Sequence, residues 1–208
     1  MCEAKRCYYF AYGSNLLQTR MHVNVDSATR AGCGKLMVSF QPKANRYNKK
    51  VIQNYRLDFF RYSKRWHGCS ATIVPHNGYE VWGAIWEIDV QQLSSLDLYV
   101  SAIFQFQVSD TLHFSQEGVH QNIYFRFNAP IFLPDGSTKT CYVYQQVAEP
   151  STHYKLTQFP ADRQPSYVYK DVIVRGAAEA KLPEVYQELL RGILCNDYKG
   201  SVDLQLIE

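Results

Sequence analysis

Through its amino-terminal two-thirds this chain alternates short β-prone runs with turn signals, and its clearest amphipathic helix comes only near the end. That order constrains the fold more than any single residue does. Many strands followed by few helices point to an α+β domain built on a mixed, curved or barrel-like sheet with a few packed helices. The expected strands are Cys7 to Ala11, Tyr55 to Arg61, Ser70 to Val74, Val81 to Ile88, Ile123 to Phe127 and Thr140 to Gln145. Asp89 is placed to cap a short helix running through Leu96. Pro183 fits the first turn of a helix through Glu184, Val185, Tyr186, Leu189, Leu190 and Ile193, whose spacing gives one apolar face and which ends near Asn196.

Composition narrows the function classes. With 208 residues, 46% apolar and 20% charged, the chain reads as one globular domain spanning 1–208. A net charge of +3 is too small and dispersed for a nucleic-acid binder, so Lys49-Lys50 and Lys64-Arg65 read as solvated surface. There is no apolar leader after the charged amino-terminal residues and no run long enough to span a bilayer, so a cytosolic location is expected. Cys2, Cys7, Cys33, Cys69, Cys141 and Cys195 show no C-x-x-C or zinc spacing, and reduced thiols are the expectation. His67 has no second histidine at ligand spacing and reads as structural. No dinucleotide fingerprint, phosphate loop or nucleophile elbow appears, so neither metal nor organic cofactor is expected.

One short run carries chemistry. Tyr8-Tyr9-Phe10-Ala11 leads as a strand into Tyr12-Gly13-Ser14-Asn15-Leu16, where the glycine can turn with positive φ. Ser14 and Asn15 are good N-cap residues before a helix-compatible Leu16-Leu17-Gln18-Thr19-Arg20-Met21. Such a corner points backbone N–H groups at a ligand and can hold a carboxylate or a developing oxyanion.

The run Tyr9-Phe10-Ala11-Tyr12-Gly13-Ser14-Asn15-Leu16 resembles the opening signature of the γ-glutamylcyclotransferase family. Further segments agree with that family in order: Trp66-His67-Gly68, Ala71-Thr72-Ile73, Glu80-Val81-Trp82-Gly83, Leu96-Asp97, Glu117-Gly118-Val119, Tyr169-Lys170, Gly176-Ala177 and Asn196-Asp197-Tyr198. The asparagine after Tyr-Gly-Ser is closer to the branch that acts on γ-glutamyl amino acids than to those acting on glutathione or γ-glutamylamines. The resemblance implies conversion of an L-γ-glutamyl amino acid to 5-oxoproline and the free amino acid, with Glu117 shuttling protons. It implies a substrate cradle from Tyr9, Phe10, Ala11, Tyr12, Gly13 and Ser14, a substrate contact from Tyr169, and pocket positions at Asn15, Tyr124 and Tyr144. It also implies a homodimer.

Three stretches depart from the family's spacing: residues 38–53, residues 100–116 and a lengthened surface loop over 149–165. The first two each begin Val-Ser, the in-frame translation of a splice donor, and each end at a glutamine, as an acceptor would. They read as translated introns, with lineage-specific loops as the other reading. Because the second directly precedes Glu117, a catalytically impaired isoform or paralogue acting as a binding protein stays open beside the enzyme, as does a relative acting on glutathione or a γ-glutamylamine.

Overall fold

The computed structural model describes residues 5–40, 51–100, 124–147, 150 and 152–202. Its strands are β1 (Arg6–Ala11), β2 (Thr29–Phe40), β3 (Val51–Ser63), β4 (Gly68–Pro75), β5 (Val81–Asp89), β6 (Tyr124–Phe132) and β7 (Thr138–Gln146). They form one sheet in the order β4-β3-β2-β5-β1-β7-β6. Because β6 also pairs with β2, the five strands β2-β5-β1-β7-β6 close into a barrel, and β3 and β4 continue the sheet beyond it. All pairings are antiparallel except β1 with β7, where Tyr9 lies opposite Tyr142. The expected α+β class with a mixed, barrel-like sheet is the one observed.

The strand β1 lies between β5 and β7, in register from Arg6 opposite Asp89 to Ala11 opposite Ala84. Tyr9, Phe10 and Ala11 are all buried, as in a strand covered on both faces. β2 serves three neighbours: β5 along Thr29 to Leu36, β6 at Lys35 and Leu36, and β3 along Met37 to Phe40. An irregularity between Arg30 and Gly32 interrupts the register with β5, which resumes and runs on to Leu36.

The helices are α1 (Gln18–Asn24), α2 (Leu93–Val100), α3 (Tyr167–Glu179) and α4 (Glu184–Arg191). Ser166 caps α3 by accepting a 3.1 Å hydrogen bond from the Tyr169 amide, and α3 then lies across the turn that follows β1. Gly176 permits that contact. A Cβ there would stand 2.4 Å from the Leu17 amide nitrogen and 2.5 Å from the Leu16 carbonyl carbon.

Several local expectations need correction. Gly13 has φ −110°, so it is not a left-handed turn residue; what it provides is space, since a Cβ there would lie 3.2 Å from the Tyr169 hydroxyl. Ser14 and Asn15 do not cap a helix starting at Leu16. They sit inside a 3-10 turn, Ser14–Leu16, and α1 starts at Gln18 with Leu17 at its N-cap and no side-chain cap. Pro183 is the N-cap of α4 rather than its first residue, and that helix ends at Arg191, before Gly192, rather than near Asn196. β2 and α3 have no counterpart among the expected elements. Asp89 does cap as expected, accepting from the Gln91 amide at 2.9 Å.

The stretch 149–165 is more than a surface loop. Phe159 is buried, and Arg163 reaches inside, donating from Nε to the Phe59 carbonyl at 2.6 Å and pairing with Asp58. Arg56 pairs with the same carboxylate, so a fully buried Asp58 is shared by two buried guanidinium groups. Of residues 38–53, the outer ends extend the β2–β3 hairpin with Val38 opposite Gln53 and Phe40 opposite Val51, while 41–50 lie outside the described residues. Residues 101–123, and Glu117 with them, also lie outside.

Candidate active site

A cavity of about 450 Å³ opens beside the turn that follows β1. Of the residues singled out from sequence, Tyr9, Tyr12, Gly13, Ser14, Asn15, Tyr124, Tyr144 and Tyr169 line it together. They arrive from four places in the chain: the end of β1 and its turn, the start of β6, the far half of β7, and the first turn of α3. Phe10 and Ala11 are fully buried core residues and do not line the cavity.

The turn is tied down on its outer side. The Trp86 indole donates to the Asn15 carbonyl at 3.0 Å, and Arg30 donates to the Leu16 carbonyl at 3.0 Å. The Leu16 and Leu17 amides are used by the 3-10 turn itself, at 3.0 and 3.1 Å to the Gly13 and Ser14 carbonyls. A helical turn leaves its first amides without internal acceptors. Accordingly the Ser14 and Asn15 N–H groups make no hydrogen bond to another described residue. Asn15 is buried, donates from Nδ2 to the Tyr9 hydroxyl at 3.2 Å, and leaves its Oδ1 without a partner among the described residues. Two amide donors and one amide acceptor are therefore available at the buried end of the cavity.

The tyrosine wall is held by its own network. The Tyr12 hydroxyl donates to the Tyr144 carbonyl at 2.5 Å, and the Tyr169 hydroxyl accepts from the Ala71 amide at 3.2 Å. The Tyr124 hydroxyl donates to the Ala71 carbonyl at 2.8 Å and accepts from Gln146 Nε2 at 3.0 Å. Tyr144 donates to Asp97 Oδ1 at 2.6 Å, and Arg126 contacts both Asp97 oxygens at 2.7 and 2.6 Å. Burial pushes the Tyr12 and Tyr144 hydroxyls well above the usual tyrosine range, and Asp97 adds to the effect at Tyr144. They stay protonated at neutral pH and serve as hydrogen-bonding groups rather than bases.

The outer wall was not anticipated. Arg61, Tyr62, Ser63, Lys64, Arg65 and Trp66, from the end of β3 and the turn beyond it, all line the cavity. Lys64-Arg65 had the look of ordinary solvated surface, and only the neighbouring Trp66-His67-Gly68 motif marked the region. The pair of Asp97 and Arg126 behind Tyr144 was also missed, although Leu96-Asp97 belongs to a matched motif. His67 itself is exposed, stacks on Tyr198 with ring centroids 4.0 Å apart, and does not line the cavity. Among the described residues there is no cluster of histidine, cysteine or carboxylate side chains suited to a metal, and no helix is long and apolar enough to cross a membrane.

A closed barrel whose central strand ends in a small, tyrosine-walled cavity with available amide donors defines a protein built to take a small polar molecule. The comparisons with known proteins make that class specific. Residues 101–190 match the AIG2-like family model. The chain is 34% identical over 202 residues to the γ-glutamylcyclotransferase of Bos taurus, covering 95% of this chain and 84% of that protein. The Homo sapiens γ-glutamylcyclotransferase is 32% identical over 202 residues, with 95% and 84% covered. A solved γ-glutamyl cyclotransferase structure superposes with a TM-score of 0.69 at 32% identity, covering 96% of this chain and 94% of that one. The chain belongs to the γ-glutamylcyclotransferase family.

Proposed function

We propose that this protein converts L-γ-glutamyl amino acids into 5-oxoproline and the free amino acid. The observation that carries the reading is the set of uncommitted Ser14 and Asn15 amides at the buried end of a tyrosine-walled cavity, in a chain of this family. The substrate brings its own nucleophile, the α-amine, which attacks its γ-carbonyl and closes a five-membered lactam. The protein has to fold the substrate back on itself, hold the oxyanion on N–H donors and move two protons. The Ser14 and Asn15 amides suit the oxyanion or the substrate carboxylate, and the tyrosine hydroxyls with Asn15 Oδ1 suit the amine and the peptide group. The described lining residues include no carboxylate and no histidine, and the proton shuttle is assigned to Glu117 of the Glu117-Gly118-Val119 motif. Glu117 accepts the proton of the ammonium and returns it to the departing nitrogen. The protein works in the cytosol, in glutathione metabolism, as a homodimer.

The test is release of 5-oxoproline from γ-glutamyl-alanine by the purified chain. Glu117→Gln should lower kcat by about 10²–10⁴-fold, the usual contribution of an acid–base group. Turnover of glutathione alone, or of γ-glutamyl-ε-lysine alone, contradicts the assignment. The second reading, an impaired isoform or paralogue acting as a binding protein, is motivated by the departure from the family's spacing over residues 100–116, directly before Glu117. A chain lacking residues 38–53 and 100–116 separates the two: equal, high activity with and without them removes it.

A further inference from the structure

The cavity wall is charged on one side only. Arg61, Lys64 and Arg65 come from the end of β3 and the turn beyond it, while every other described lining residue is uncharged. The two ends also differ in exposure. Ser14 and Asn15 are buried, whereas Arg61, Tyr62 and Lys64 are exposed, Tyr62 to 64%. Elsewhere on the surface some cations find carboxylates, as Lys35 does with Glu80 at 2.6 Å and Arg191 with Glu184 at 2.7 Å and also with Glu188, whereas others such as Lys139 and Lys170 lie on an aromatic ring or a backbone carbonyl and line no cavity of this kind. Arg61 and Lys64 pair with no carboxylate among the described residues. Two cations without a carboxylate partner among the described residues, one at the end of β3 and one on the turn beyond it, beside a third, give the mouth a positive field that low-dielectric walls concentrate.

We propose that the Arg61 to Arg65 segment selects the leaving residue by charge, favouring glutamate or aspartate over the corresponding amides. The inference rests on the γ-glutamyl reading above, with the γ-glutamyl group at the buried amides and the leaving residue at the mouth. Every γ-glutamyl amino acid presents one carboxylate on its leaving residue, which one cation satisfies. A second carboxylate on the side chain meets the others, and Tyr62 offers a ring against which the side-chain methylenes can lie. Because the cations are exposed, each contact is modest and screened by salt.

γ-Glutamyl-glutamate and γ-glutamyl-glutamine differ by one oxygen for one amide nitrogen, so the pair isolates the charge. Calorimetric titration of the full chain with each dipeptide at low salt should give about 3–10-fold tighter binding of the acid. At about 0.5 M salt the advantage should shrink below about twofold. The exposed double variant Arg61→Gln/Lys64→Gln should bring the ratio close to one. Equal affinities in the native chain, or a ratio that survives the double substitution, overturn the charge selection while leaving the γ-glutamyl reading intact. Failure of both dipeptides to bind removes the reading and the inference together.

Discussion

Gly176 connects the helix scaffold to the cavity, and replacing it with alanine sets two effects against each other. Within α3, alanine is the better helix former by up to about 0.8–1.0 kcal/mol, so propensity alone predicts a more stable protein. The structure predicts the opposite. The new Cβ would stand 2.4 Å from the Leu17 nitrogen, 2.5 Å from the Leu16 carbonyl carbon and 2.6 Å from the Leu16 Cβ, and the first two are backbone atoms that cannot rotate aside. Ordinary contact needs about 3.4 Å or more, so α3 must retreat by about 1 Å or the Ser14–Leu16 turn must yield. Overpacking of this kind costs about 1–3 kcal/mol, and the rigid partners put it in the upper part of that range. After the propensity gain the net loss is about 1–2 kcal/mol, which lowers Tm by roughly 2–8 °C for a domain of this size. Activity should suffer more. Tyr169 lies two turns earlier on the same helix and lines the cavity, so the shift reaches both it and the Ser14 and Asn15 amides. A misplacement of about 1 Å can cost about a hundredfold in rate. Thermal unfolding and 5-oxoproline release are measured on the same Gly176→Ala preparation. A raised Tm with unchanged kcat/KM would refute the reasoning, since it would mean that α3 does not press on the turn.

Two further outcomes follow from buried groups. Asp58→Ala strands the Arg56 and Arg163 guanidinium groups, and loss of one partner of a buried ionic cluster costs about 3–5 kcal/mol. Urea unfolding should show it, and a loss below about 1 kcal/mol would contradict the burial of the triad. Burial pushes the Cys69 thiol from 9.0 up to about 11 and the Cys141 thiol up to about 12. The folded chain keeps those protons after the unfolded chain has released them, so their contribution is complete below about pH 9 and is lost as pH rises through about 11 to 12. Tyr12 and Tyr144, also raised by burial, act in the same direction at higher pH. Stability should therefore fall from about pH 9 upward, and Cys69→Ser/Cys141→Ser should flatten the first part of that fall. A flat profile from about pH 8 to 10.5 in the native chain goes against the assignment.

The parts of the fold that were legible in the sequence are those whose side chains state their environment locally. β1, β4, β5 and β7 announce themselves as β-prone runs bounded by turn residues. β2 does not: Thr29-Arg30-Ala31-Gly32-Cys33-Gly34 mixes two glycines with a basic residue, and its strand identity comes from pairing with three partners distant in sequence. α3 fails for a different reason. Tyr167, Val168, Val172, Ile173 and Val174 are β-prone, and the helix exists because Ser166 caps it and its small face at Gly176 and Ala177 fits the turn after β1. Tertiary packing overrides propensity there. In the site, the tyrosines could be named because a motif carries them, but Arg61, Lys64 and Asp97 could not. A basic residue near a turn looks the same whether it faces bulk water or a cavity mouth, and only the return of β3 past the β1 turn decides which. The same holds for Arg163, whose partner Asp58 is more than a hundred residues earlier.

The position of β1 has a consequence for how the chain is made. It is the first of the seven strands in chain order, yet it lies between β5, complete only at Asp89, and β7, complete only at Gln146. While it waits, Tyr9, Phe10 and Ala11 have no barrel to enter, and the cavity lacks Tyr169 until α3 emerges. Pairings this distant along the chain are slow to form and leave apolar strand surface exposed meanwhile. A nascent chain on the ribosome therefore carries the apolar end of β1 unprotected until β5 and β7 have both emerged. Sites of premature termination before residue 146 should yield material that aggregates rather than partial barrels.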